Sequence, residues 1–284
     1  MTNPSHETDV SMFSVGTILG HTFSTFSAHP FVFIGLAVLA QVPWLIILAM
    51  GGNFLIASVV DVILIWAFQG VAVFGVYEVL RGNTAQFGEA LSRGMARIVP
   101  AILVVLLLSV TVGLVGGLSY LLVVFISLIL MILGIGGPVV SIIGLLFMFF
   151  ITMWMFCKWA VAIPISAVEG LGPIKSLKRS SELTKGCRWK IFALFILHSV
   201  ICAPVYIFTA LGLGFMTGSP VTDLPIAYIH QYFHLNLFIQ LTAAIWISLY
   251  YVMIAVIYYG LREIKEGFSV DDDPGTGNRD PLPR

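Results

Sequence analysis

The stretch Gly172–Trp189, GPIKSLKRSSELTKGCRW, holds five of the fourteen Lys and Arg residues of the chain, at Lys175, Lys178, Arg179, Lys185 and Arg188. Long apolar runs flank it on both sides. Lys and Arg accumulate in the cytoplasmic loops of membrane proteins. The stretch therefore predicts a cytoplasmic connection between two membrane spans.

The composition supports a membrane protein. Of 284 residues, 59% are hydrophobic and only 10% are charged, and the mean hydropathy is +1.02. Soluble domains are about a quarter charged, so an ordinary soluble fold is excluded. The formal net charge is zero, and no nucleic-acid partner is expected.

Six apolar runs are long enough to cross a bilayer, which takes about 20 residues. They lie near Phe31–Met50, Phe54–Leu80, Ile98–Leu133, Val139–Ala167, Lys190–Leu213 and Leu235–Gly260. The first is expected to be a retained span, since no basic region and cleavage site of a signal peptide precede it. The sequence predicts an all-α transmembrane bundle over residues 11–267, after a flexible N-terminus (residues 1–10) and before a disordered cytoplasmic tail (residues 268–284).

The third run is too long for one upright span. Gly113, Gly116 and Gly117 offer a break, and Gly113 and Gly117 are also spaced for close helix approach. Three interpretations of this run stay open: one broken span, two spans or a re-entrant segment. Arg81, Arg93 and Arg97 precede this run, and the basic stretch follows the fourth run. Both basic connections are expected in the cytoplasm, so an even number of crossings separates them. The third run then counts as one crossing and the fourth as the other. Both termini are then cytoplasmic.

Three segments resemble one another: FSVGTILGHTFSTFSAHPFVF from Phe13, QFGEALSRGMARIVPAIL from Gln86 and PIKSLKRSSELTKGCRWKIF from Pro173. Each has apolar residues at helical spacing, a polar opposite face and a span after it, as amphipathic interfacial helices do. This predicts three copies of a unit, a cytoplasmic interfacial helix followed by two spans, over residues 11–80, 86–167 and 173–260. The alternative is that any helix leading into a membrane has this pattern.

The block AIPISAVEGLGPIKSLKRSSELTKGCRWKIFALF resembles a group of bacterial inner-membrane proteins of unknown function. The group includes the YciC-like proteins and the membrane domain found ahead of some glycerophosphodiester phosphodiesterases. The resemblance rests on Pro164, Val168, Glu169, Arg179, Ser180, Leu183, Thr184, Gly186, Trp189 and Lys190, and on LRGNTAQFGEAL from Leu80. It implies a multi-pass helical protein in the bacterial inner (plasma) membrane, without the phosphodiesterase catalytic domain.

Four polar residues inside spans, Gln41, Gln69, Lys158 and His198, fall at similar depth, and polar residues in a membrane are often functional. They form a candidate polar layer. Alternatively, each bonds locally and Lys158 extends to the interface. His230 and His234 are spaced for one helix face but lack further ligands, so no metal or cofactor is expected.

No HExxH, GxSxG or GxxxxGK[ST] motif is present, and we expect no catalytic activity; a membrane-embedded enzyme is the least favoured alternative. The favoured interpretation is a lipid-associated scaffold or accessory subunit. Its five basic residues (Lys175, Lys178, Arg179, Lys185, Arg188) would contact anionic phospholipids. The alternative is a transporter or channel for a small or amphipathic solute, using the polar layer. The sequence specifies no protein partner.

The predicted topology places Gly134–Pro138 outside the cell and the basic stretch inside. In a variant whose three native cysteines are replaced with alanine, a cysteine introduced at Gly136 should react with a membrane-impermeant maleimide added to intact cells, whereas one at Lys178 should react only after permeabilisation. Labelling of the Gly136 cysteine only from the cytoplasm would contradict this topology.

Overall fold

The computed structural model describes residues 13–133, 137–217 and 233–267, and in these ranges the chain forms helices and no strands. The predicted flexible N-terminus, the predicted tail and His230 lie outside the described residues. The helices are α1 (Val15–Ala28), α2 (Pro30–Ala49), α3 (Phe54–Leu80), α4 (Phe87–Met95), α5 (Ile98–Ile132), α6 (Gly137–Trp159), α7 (Ala162–Glu169), α8 (Pro173–Leu183), α9 (Arg188–Thr217) and α10 (Phe233–Glu266).

Six helical segments within the described residues are long and apolar enough to cross a membrane. A bilayer core offers no water to unpaired backbone groups, so apolar runs of this length form helices that bond internally. Asn53 caps the N-terminus of α3, and its side chain accepts hydrogen bonds from the amides of Leu55 and Ile56. The predicted class, an all-α multi-pass membrane bundle, is confirmed.

The third apolar run, predicted as Ile98–Leu133, forms one helix. Helix α5 has 35 residues and is about 52 Å long at about 1.5 Å per residue. It passes through Gly113, Gly116 and Gly117 without a break, and no atom lies within 4 Å of a Cβ added at any of them. The break and the close helix approach suggested by these glycines are therefore both absent. The next span divides instead, since α6 ends at Trp159 and α7 begins at Ala162.

The helices pack in cyclic order. Each short amphipathic helix (α1, α4, α8) precedes two spans and lies against the second span of the unit before it: α4 on α3, α8 on α6 and α7, and α1 on α10. The first spans follow the same order, with α5 on α3, α9 on α6 and α2 on α10. Because two crossings separate successive short helices, all three lie at one end of the bundle, called here the short-helix end. A threefold repeat predicts this order, and the repeat itself stays a prediction.

The short helices bury their small residues against the protein. On α4, Gly94 faces Val71 so closely that a Cβ added there would lie 2.6 Å from the Val71 Cα atom. One turn away, Ala90 packs beside Gly75, with 3.6 Å between the Ala90 Cβ and a Cβ added at Gly75. Small side chains let membrane helices approach and gain van der Waals contact. Helix α4 is thus held by the neighbouring span in addition to any contact with lipid.

Gly94→Ala should destabilise the protein, by about 1–3 kcal/mol as overpacking does, because backbone atoms of α3 occupy the place of the new methyl group. Gly88→Ala on the same helix meets nothing within 4 Å and should be neutral or stabilising by up to about 1 kcal/mol. Thermal unfolding of both variants in detergent measures the difference. Equal transition temperatures would show that α4 does not pack this closely.

Candidate functional site

The basic stretch folds as α8 and the turn after it. Pro173 takes the first helical position, where a missing backbone N–H costs nothing. Ser176 and Ser180 face the protein and are fully buried. Gly186 has a φ of +89°, a conformation that glycine adopts without strain, and this turns the chain into α9. The face of α8 that carries Ser176 and Ser180 thus packs inward, whereas Lys175 and Lys178 point away from the protein.

Hydrogen bonds from two neighbouring helices fix α8. The hydroxyl groups of Ser180 and Thr184 both donate to the Lys158 carbonyl oxygen, each at 3.1 Å. The ammonium group of Lys265 on α10 donates to the carbonyl oxygens of Glu182 and Lys185, at 3.0 and 2.6 Å. Carbonyl groups at a helix C-terminus lack partners within the helix. Lys265 therefore completes the end of α8 with both hydrogen bonds and charge.

A closed ring of polar contacts joins α7, α8 and α10. Arg179 bonds Glu266 and lies 3.4 Å (Nε to Oε2) from Glu169. The Arg262 guanidinium donates to Glu266 Oε2 at 3.2 Å and to the Tyr258 hydroxyl at 3.3 Å. The Tyr258 hydroxyl donates to Glu169 Oε1 at 3.2 Å, which closes the ring. Since the two arginines alternate with the two carboxylates, the charges of the ring cancel.

The five predicted headgroup contacts therefore divide into two groups. Arg179 is engaged in the ring. Arg188 donates to the Ser181 carbonyl oxygen at 3.3 Å and lies over the Trp154 ring, 5.1 Å from its centroid. The remaining three, Lys175, Lys178 and Lys185, are exposed, and none of them forms an ion pair within the described residues. These three are called the lysine triad below.

The four residues of the predicted polar layer do not line one cavity. Gln69 is fully buried and lines a cavity of about 340 Å³. Gln41 is also buried, but its amide group donates to the Ala37 carbonyl oxygen of its own helix at 2.9 Å. The cavity lining includes Gln69 and excludes Gln41.

The other two residues of the predicted layer are held by aromatic rings. Lys158 places its ammonium group 5.1 Å from the centroid of the Trp159 ring. His198 packs on Tyr250, with 5.6 Å between the ring centroids. Both aromatic rings line the cavity, whereas Lys158 and His198 do not. This cavity therefore contains Gln69 alone of the four, and the polar layer stays a prediction.

The described residues contain no group of three or more His, Cys, Asp or Glu side chains arranged to hold a metal ion. Cys187, in the turn between α8 and α9, is buried, and burial raises the pKa of its thiol although Lys265 and Lys190 act in the opposite direction. A thiol with a raised pKa stays protonated at neutral pH and is a poor nucleophile.

Sequence reasoning missed the partners of Arg179. Glu169 belongs to the motif block, but nothing in the sequence pairs it with a basic residue ten positions later. Tyr258, Arg262 and Glu266 lie more than seventy positions away and meet Arg179 or Glu169 only through the packing of α10. The sequence does indicate one contact of the ring, because Arg262 and Glu266 are four residues apart, the spacing of an ion pair on one helix face.

Comparisons with protein-family models, with curated proteins and with solved structures find no match to this chain. The resemblance to the YciC-like group consequently stays a prediction.

Arg179→Met should weaken the connection between α8 and α10, because Glu169 loses its cationic partner and Glu266 keeps only Arg262 of its two. Hydrogen bonds to charged groups contribute about 1.5–3 kcal/mol, and a decrease of this order in unfolding free energy is expected. Lys178→Met, on the exposed neighbour, is the matched control and should have little effect. A double-mutant cycle of Arg179→Met with Glu266→Gln should give a coupling energy of about 0.5–3 kcal/mol; additive effects would contradict the pairing.

Proposed function

We propose that this integral membrane protein binds anionic phospholipid headgroups at its short-helix end, and acts without catalysis as a lipid-associated scaffold or accessory subunit. The proposed location is the bacterial inner membrane, with both termini and the short-helix end in the cytoplasm. The observation that supports the proposal best is the lysine triad, three exposed cationic groups that form no ion pair with any of the residues that the structure describes.

Charge gives the triad its selectivity. Each Lys near an anionic membrane surface contributes about 1 kcal/mol of attraction. Arg179 and Arg188 add little to this, since Arg179 is neutralised by carboxylates and Arg188 is held by Ser181 and Trp154. The electrostatic attraction is therefore concentrated in the triad, a smaller set than the five residues that the sequence predicts.

Apolar side chains beside the triad support contact with a bilayer. Ile174 is 75% exposed and Trp189 is 68% exposed. Amphipathic surface helices place apolar residues among the acyl chains while their basic residues meet the headgroups, and Trp favours this boundary. Ile174 and Trp189 flank the triad in sequence, so both parts of a headgroup-and-acyl contact occur together.

Because α8 is already held in place, lipid binding at the triad costs less conformational entropy. Association costs entropy when side chains and loops become ordered. Hydrogen bonds from Ser180, Thr184 and Lys265 already hold the helix, so only the lysine side chains lose freedom on binding. A scaffold that organises lipid benefits from such a preformed cationic surface.

Replacing the lysine triad with glutamine should reduce co-purifying anionic phospholipid while leaving zwitterionic phospholipid unchanged. Loss of about 1 kcal/mol per lysine corresponds to about fivefold in affinity, so the triple variant should bind at least about tenfold more weakly. Quantitative lipid mass spectrometry on protein reconstituted in mixed vesicles measures the effect.

The matched control is the Lys→Arg triple variant, which keeps all three charges and should retain the lipid. An anionic lipid content equal to that of the wild type in the glutamine variant would refute the proposed headgroup site.

A further inference from the structure

The Gln69 cavity lies among α3, α5, α6, α7 and α10, and no residue of the lysine triad lines it. Its lining is apolar and aromatic except for a few polar groups: Val62, Trp66, Gln69, Val105, Leu108, Ser109, Val112, Gly113, Met155, Phe156, Trp159, Ala160, Ile163 and Tyr250. Small-molecule sites are concave and mostly apolar, with a few polar groups that fix orientation, and occupy about 300–1,000 Å³. At about 340 Å³ the cavity is of this kind.

Gln69 is the unusual member of the lining. It is 1% exposed, and neither its side-chain nitrogen nor its side-chain oxygen has a hydrogen-bond partner in the part of the chain that the structure describes. A buried polar group without a partner destabilises the protein. Gln41, at a comparable depth, bonds its amide nitrogen to its own helix. An amide left wholly unpaired beside a cavity is satisfied when a ligand supplies both a donor and an acceptor.

The charge of the lining restricts the ligand further. None of the lining residues is Asp, Glu, Lys, Arg or His. An ionised head would be buried there without a charged side chain in the lining to contact it, at high cost. The polar group that reaches Gln69 is therefore uncharged, and a hydroxyl group meets the requirement because it donates to Oε1 and accepts from Nε2.

The walls of the cavity indicate a single aliphatic chain. Trp66 and Phe156 stack on each other with 6.2 Å between ring centroids, and Ser109 and Gly113 on α5 leave the space opposite them. A water molecule takes about 30 Å³ of liquid, so the cavity holds on the order of ten heavy atoms. Helices α5 and α6, which form one wall, are largely exposed, so an amphiphile dissolved in the bilayer reaches the cavity from the side.

We infer that this cavity is a binding site for one single-chain, uncharged amphiphile, whose hydroxyl or un-ionised carboxyl group hydrogen-bonds to Gln69 and whose chain packs against Trp66, Phe156 and Gly113. The site is independent of the lysine triad, because it selects an uncharged ligand by hydrogen bonding within the membrane. If the headgroup proposal fails, the cavity site is unaffected, and if the cavity site fails, the headgroup proposal is unaffected.

The test uses the full-length protein in vesicles and a ten-carbon primary alcohol that carries a mid-chain diazirine. Irradiation should attach the probe to peptides that contain Val62–Gln69 or Val105–Gly113, as mapped by mass spectrometry. Unlabelled 1-decanol should compete for the site, whereas decane, which lacks the hydroxyl group, should compete about tenfold less well, the ratio expected for the loss of about 1.4 kcal/mol. Equal competition by decane, or labelling only elsewhere, would overturn the inference without requiring any variant.

Two variants with a matched control locate the site. Gly113→Leu fills the cavity, since a side chain there points into open space, and should lower specific labelling at least about fivefold, the factor expected for a loss of about 1 kcal/mol. Gly116→Leu on the same helix also meets nothing within 4 Å but does not line the cavity, and should label as the wild type does. Gln69→Leu should abolish the preference for decanol over decane. Equal labelling of Gly113→Leu and Gly116→Leu, or a preserved preference in Gln69→Leu, would refute the site.

Discussion

Close approach of helices through small side chains is the interaction on which this bundle depends. Lipid is as apolar as the helix surfaces, so association within a bilayer relies on van der Waals contact between closely fitting helices. Gly94 lies against Val71, Gly144 against Val123 and Gly212 against Phe238, each so near that an added Cβ would lie within about 2.6 Å of an existing atom. Each contact joins two helices that follow one another along the chain: α3 with α4, α5 with α6, and α9 with α10.

At the short-helix end, where water and headgroups are near, polar interactions take over the same task. The ring of Glu169, Arg179, Glu266, Arg262 and Tyr258 connects three helices. Its members are partly buried, and such groups are retained only when their partners are in place. The ring thereby removes Arg179 from the surface and leaves cationic groups for lipid mainly at the lysine triad. Structural and lipid-binding roles are thus divided among residues of one basic stretch.

The spans are mostly apolar, and Gln69 is a buried side chain in them whose amide nitrogen and oxygen both lack a partner among the described residues. A glutamine buried in a span ordinarily bonds to its own or a neighbouring helix, as the amide nitrogen of Gln41 does. Gln69 lies beside a cavity whose space exists because α5 presents Ser109 and Gly113 at that level. Small residues, which elsewhere bring helices together, here leave a gap. The difference arises because no neighbouring helix side chain fills the volume opposite Gly113.

The amino-acid sequence alone determined the helical class, the six spans and the three short helices before them, because apolar length and amphipathic spacing are local properties. It also identified Gln69 and the five basic residues. Tertiary structure decided what these residues do: Arg179 is neutralised by Glu266, 87 positions away, while Lys178 is exposed and forms no ion pair within the described ranges. It also decided that Gln69 alone of the four polar candidates reaches the cavity, and that α5 runs unbroken through its glycines. Such outcomes depend on which helix face meets which neighbour, and this is set by packing between distant segments that local periodicity does not specify.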